Sequence, residues 1–167
     1  MSKSGILMRE GLMLFCIVLF LTGGMALSKA DEMPSDSDQN VRIINQLYNA
    51  FQSGDVDTIL GLMDDEVIWF APGPSRIKFA GTFHGKDGVR KFFDIAIENL
   101  EVLAQEVKGY LIGPDTVGVM GYEHMKVKST GRHYESDWIH LYTLRDGKIV
   151  AFEEYVDTAA QAAAFDP

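Results

Sequence analysis

Cysteine is almost absent from this chain: the single thiol, Cys16, lies in an apolar run near the N-terminus. If that run is removed, the remainder can form neither a disulfide nor a thiol nucleophile. Positive charge is also scarce, with 15 Lys and Arg against 24 Asp and Glu. Without residues 1–30 the count is 12 against 23 and the net charge −11, which argues against nucleic acid and anionic lipid surfaces as partners. The longest hydrophobic run is short for a membrane span, and no internal repeat occurs. Gly81, Gly85 and Gly88 follow no phosphate-binding spacing, so turn and close-packing roles are expected for them.

What is present begins with Lys3 and Arg9, continues through the apolar Leu12 to Leu21, and reaches small residues in TGGMALSKA. This is the pattern of a secretory signal peptide, residues 1–30, with cleavage expected after Ala30 and Ala26-Leu27-Ser28 as the alternative stop. Cys16 follows Leu14-Phe15 rather than the small residues a lipoprotein signal requires. The expectation is an exported protein, periplasmic or extracellular, with no membrane attachment after cleavage; an uncleaved N-terminal anchor is the alternative. The 137 residues left suffice for one domain with a single core. Residues 31–39, DEMPSDSDQ, read as a disordered acidic linker whose Asp38 caps the helix that follows, and the domain is placed at 40–167.

From Asn40, the apolar Val41, Ile44, Leu47, Tyr48 and Phe51 recur at helical spacing up to Ser53-Gly54. Asp55 then caps a short second helix. A strand is expected over Val67–Ala71, stopped by Pro72-Gly73-Pro74, and another over Lys78–Phe83. Residues Lys86 to Leu103 read as a helix with Val89, Phe92, Phe93, Ala96, Ile97 and Leu100 on one stripe, and His84 as a capping or pocket-rim residue. Four strands and an alanine-rich helical tail follow. Helices gathered against one face of a largely antiparallel, curved sheet make an α+β domain with a pocket between them.

Alternation along the strand beginning at Tyr134 puts Tyr134, Ser136, Trp138, His140 and Tyr142 on one face. Two registers are open for the hairpin at Arg145-Asp146-Gly147. A two-residue turn would set Ala151, Glu153 and Tyr155 beside the His140 face. A three-residue turn would set Val150, Phe152, Glu154 and Val156 there, and this is preferred because it turns the more apolar row inward. Glu154 is then the one charge on an apolar face.

Glu123, on the expected inward row Gly121, Glu123, Met125 and Val127, joins His140 and Glu154 in a pocket lined by Trp69, Phe93, Trp138, Tyr142 and Phe152. A histidine between carboxylates in an apolar cavity suits acid-base chemistry. The competing reading is a structural ion pair around a hydrogen-bonded core histidine. The same trio has the composition of a metal site, but without any close pair of histidines no metal is expected.

The segments YNAFQSGDVDTILGLMDDEVIW, FAGTFHGKDGVRKFF and GRHYESDWIHLYTLRDGKIVAFEEYVDTAAQAAAF together resemble the SnoaL-like branch of the nuclear transport factor 2-like superfamily, and ketosteroid isomerase-related proteins within it. The resemblance implies a cone-shaped, mostly antiparallel sheet wrapped on three helices, a homodimer through the outer sheet face, and an apolar pocket for a small apolar or amphipathic molecule. It implies cofactor-independent isomerase-, cyclase- or hydrolase-like chemistry, or binding without catalysis, since members do both. Steroid isomerase machinery is mostly missing. The position of its general-base aspartate holds Phe70-Ala71, its first-helix tyrosine falls at Leu47 with Tyr48 about 100° round the helix, its supporting tyrosine falls at Phe93, and its oxyanion aspartate aligns with His140. His140 is therefore the expected proton donor or acceptor, with Glu123 or Glu154 as partner.

Overall fold

Helix α1 spans Asp36–Ser53 and buries Ile44, Leu47, Tyr48 and Ala50 on one side. It begins before Asn40, so residues 36–39 are helical rather than linker. Ser35 accepts a hydrogen bond from the Asp38 amide as N-cap, and Asp36 and Asp38 place negative charge on the first turn, where the helix dipole favours it. Asp38 is thus a first-turn residue and not the cap. The computed structural model describes residues 35–166; the expected signal peptide and residues 31–34 lie outside them. Gly54, at φ 70°, ends α1 in the left-handed conformation that glycine adopts without strain. Helix α2, Val56–Gly61, starts on Asp55, which accepts from the Thr58 amide at 3.0 Å.

Strand β1, Met63–Ala71, starts four residues earlier than its apolar run suggests, and β2, Gly81–His84, is shorter than expected. Ile77 and Phe79 are buried instead by turns closed through Ile77 N to Pro74 O and Ala80 N to Ile77 O. Helix α3, Gly85–Asn99, carries Val89 and Phe93 to the core. His84 occupies its N-cap position but makes no side-chain capping bond, and it lies off the cavity lining. The helix stops four residues before Leu103 because Leu100 is already extended, at φ −116° and ψ 145°. Strands β3 (Leu100–Ile112), β4 (Thr116–Val127), β5 (His133–Arg145) and β6 (Lys148–Val156) follow, and helix α4, Thr158–Phe165, closes the domain.

The six strands form one sheet in the order β2-β1-β6-β5-β4-β3, antiparallel throughout except for the parallel pair β1 and β6. Two register shifts in β3, at Val102/Ala104 and Val107/Gly109, are bulges of the kind that bend a sheet. The concave side packs Trp69, Trp138, Tyr142 and Phe152 against α1 and α3 residues such as Ile44, Leu47, Val89 and Phe93. The outer face leaves Ile68, Phe70, Leu111, Ile139 and Tyr155 exposed.

The β5–β6 hairpin reaches the preferred register by another route. Asp146 and Gly147 have φ of 51° and 72°, and Arg145 pairs with Lys148, so the turn has two residues with both in the left-handed region. Leu144 then pairs with Ile149 but Thr143 with Ala151, leaving Val150 as a bulge. That extra residue sets Glu154 opposite His140 and Phe152 opposite Tyr142. Ile149, rather than Val150, is the buried residue at the start of β6. No helix among the described residues is long and apolar enough to cross a membrane.

Candidate functional site

Period-2 alternation in β5 delivers Tyr134, Ser136, Trp138, His140 and Tyr142 to the concave face, and all five are buried. Gly121 on β4 lies directly opposite Trp138. A Cβ there would run into the Trp138 ring and the Glu106 carbonyl, so glycine lets the indole lie close to the sheet. Trp138 in turn stacks on His140, with ring centroids 4.0 Å apart and planes 16° apart.

On the helix side, the Tyr48 hydroxyl lies 2.7 Å from His140 Nδ1. Tyr142 donates to the Tyr48 oxygen at 3.3 Å, which leaves the Tyr48 proton for Nδ1 and the imidazole proton for Nε2. Burial pushes both phenols well above their ordinary range, so they stay protonated as donors. His140 Nε2 faces Glu154 Oε1 at 3.5 Å, too long for a good hydrogen bond but within ion-pair reach.

A second polar series enters from α4. Gln161, 1% exposed, donates through Nε2 to the Tyr134 hydroxyl at 3.2 Å, and Tyr134 adjoins Glu123 on the cavity lining and lowers its proton affinity. Burial first and the neighbouring Glu154 second push the Glu123 carboxyl up to about 8. At pH 7 it is therefore mostly neutral, the state a carboxyl adopts when desolvated beside a like charge.

Both series line a cavity of about 90 Å³, with walls that include Trp69, Phe92, Phe93, Tyr142 and Phe152. The structure thus brings His140, Glu123 and Glu154 together, with Trp69, Phe93, Tyr142 and Phe152 around them. Trp138 does not line the cavity; it backs His140 from the sheet side, because the absent side chain at Gly121 draws it flat. Three contributors escaped sequence reasoning. Tyr48 was visible as a hydroxyl on an apolar helix stripe and Tyr134 as a member of the His140 face, whereas Gln161 had only its isolation among alanines as a signal. Among the described residues no three His, Cys, Asp or Glu side chains are grouped to hold a metal ion. His124 and His133 pair with each other at 3.1 Å away from the cavity.

A bent sheet folded over helices, with a mostly apolar cavity inside, defines a cone-shaped α+β pocket protein. The chain belongs to the SnoaL-like domain family, which matches residues 44–152. Among solved structures it is similar to a nuclear transport factor 2-like protein from Burkholderia xenovorans, with 30% identity and a TM-score of 0.71, over 78% of this chain and 98% of that one. It is similar to TerC, co-crystallised with polyporic acid, at 25% identity and a TM-score of 0.67 over 77% and 99% of the two chains. Bal32a, from a soil-derived mobile gene cassette, shares the fold at 21% identity and a TM-score of 0.69, over 79% and 100%. No functionally curated protein matches the chain.

Proposed function

We propose that this is an exported SnoaL-like protein whose cone takes up a small apolar or amphipathic organic molecule and transfers a proton on it without a cofactor. The observation that carries the reading is the donor series Tyr142, Tyr48, His140, with Glu154 facing His140 Nε2 at 3.5 Å, inside an apolar cavity. With Nδ1 engaged by Tyr48, Nε2 is the nitrogen offered to a ligand, and Glu154 stands where it can take up or return a proton. Glu123, neutral at pH 7, is a second proton source. TerC, of the same fold, was co-crystallised with polyporic acid, which supports an organic molecule as the occupant.

A non-catalytic binding module is the second reading, and the flat stacking of His140 on Trp138 favours it, since that packing serves a core as well as a catalyst. The apolar outer face, where Ile139 and Tyr155 are exposed cross-strand neighbours, supports a homodimer.

Native mass spectrometry on the exported protein reads the mature N-terminus, the subunit number and any retained molecule from one sample. A dimer beginning at Asp31 with a bound organic mass is expected. With that molecule as substrate, His140→Gln should abolish turnover and spare binding. A change in affinity alone would establish the binding module, and loss of folding would reduce His140 to a structural role.

A further inference from the structure

Three buried oxygens on the cavity lining make no hydrogen bond among the described residues: Glu123 Oε1, Glu154 Oε2 and Gln161 Oε1. They come from β4, β6 and the C-terminal helix, and Glu123 and Gln161 are more than nine-tenths buried. Unpartnered donors on the same lining are the Trp69 indole nitrogen and His140 Nε2, and the latter already faces Glu154. Among the described residues no lysine or arginine lines the cavity. Buried acceptors are costly unless something donates to them. Here the acceptors include two carboxyls, and among the described residues the only side chain on the lining able to carry positive charge is His140. An anionic ligand would meet no fixed cation and two acids.

We propose that the cone's ligand is a protonated amine on a small apolar body, with its ammonium group donating to the oxygens of Glu123, Glu154 and Gln161. This rests on the reading of the cone as a small-molecule site and names the chemical class that fits it. A primary ammonium carries three donors and no acceptor, which matches three acceptor oxygens. The aromatic walls present π faces that attract a cation when desolvated. A cavity of about 90 Å³, smaller than the roughly 150 Å³ that takes up benzene, limits the apolar body to a single ring at most.

Ionisation supplies a signature that packing alone would not. The titratable groups that share the cavity lining with Glu123 of β4 are Tyr134, His140 and Tyr142 from β5, Glu154 from β6 and Tyr48 from α1, of which Glu154 and Tyr134 act on it most directly. Among the described residues, the lining contributed by α3, β3 and α4 holds no titratable group, only residues such as Phe93, Gln105 and Gln161. Glu123 holds its proton up to about pH 8, and an ammonium seated beside it would favour the carboxylate, so binding near pH 7 should expel a proton to solvent. Amine affinity should therefore rise from about pH 6 to about pH 8.

The test is calorimetric titration of the full-length protein with benzylamine, benzyl alcohol and benzoate, which share a ring and differ in charge. Benzylamine should bind at least about tenfold more tightly than the alcohol, the scale of a charge-assisted hydrogen bond, and benzoate should not bind. Repeating the amine titration at pH 7 in two buffers of different ionisation enthalpy should show proton release approaching one per site. Glu123→Gln should remove that release and weaken the amine about tenfold; the wild-type comparison decides the matter if this variant fails to fold. Equal or tighter binding of the alcohol, or binding of benzoate, would overturn the amine proposal and leave the small-molecule reading standing. Binding of none of the three would remove both.

Discussion

Tyr48 on α1 and His140 on β5, 92 residues apart in sequence, are joined by a buried 2.7 Å hydrogen bond that ties the helix to the concave face of the sheet. Tyr48→Phe keeps the ring and removes the hydroxyl, leaving Nδ1 without its donor and Tyr142 without its acceptor. The expected loss is about 1–3 kcal/mol of stability, read as a fall in the urea midpoint. Tyr122→Phe, which removes an exposed hydroxyl bonded to Glu135, should leave the midpoint nearly unchanged and serves as the control.

Glu123 should make the protein less stable as pH rises. Its ordinary value is 4.5 and its folded value about 8, so the folded state binds the proton more tightly than the unfolded state between those limits. The contribution is fully present below about pH 4.5 and is lost as pH rises through about 8. Glu123→Gln, neutral at every pH, should match the wild type near pH 5 and exceed it near pH 8.5 by on the order of 2–4 kcal/mol. Urea denaturation at the two pH values checks this; a difference that does not grow with pH would rule out a neutral buried carboxyl.

Gly121→Ala should destabilise the domain by about 1–3 kcal/mol through overpacking, because the added methyl meets the Trp138 ring and the Glu106 carbonyl. Near-UV circular dichroism should change with it, since Trp138 must leave its stack on His140. A variant with wild-type melting and an unaltered aromatic spectrum would show that the sheet yields there without cost.

Ile139→Arg places a charge at the centre of the exposed apolar outer face, beside Tyr155. Sedimentation velocity should show a dimer for the wild type and a monomer for the variant, because an unpaired charge buried in an apolar interface is expensive. The far-UV spectrum should not change, as the side chain makes no part of the core. A variant that stays dimeric would move the interface elsewhere.

Much of the scaffold is legible in the residues themselves. The Ile44, Leu47 and Phe51 stripe, the Asp55 cap, the alternation from Tyr134 to Tyr142 and the cross-strand pairing of His140 with Glu154 all follow from period, capping chemistry and the preference for an apolar inner row. The boundaries were less legible. Ser35 extends α1 into a stretch whose acidity resembles a linker, and Leu100 leaves α3 early because β4 offers it a backbone partner, Val127.

The sequence by itself determined the helix faces and the strand alternation, because these depend on backbone period alone, and the more apolar rows pointed His140, Glu123 and Glu154 inward. Only the tertiary structure decided what those groups touch. The Val150 bulge, the flat Trp138 admitted by Gly121, the Tyr48 bond to His140 and the arrival of Gln161 beneath Tyr134 all depend on how distant elements close on one another. So does the neutrality of Glu123, since burial and a like charge from another strand set its proton affinity, and neither is a property of the residue's place in the chain.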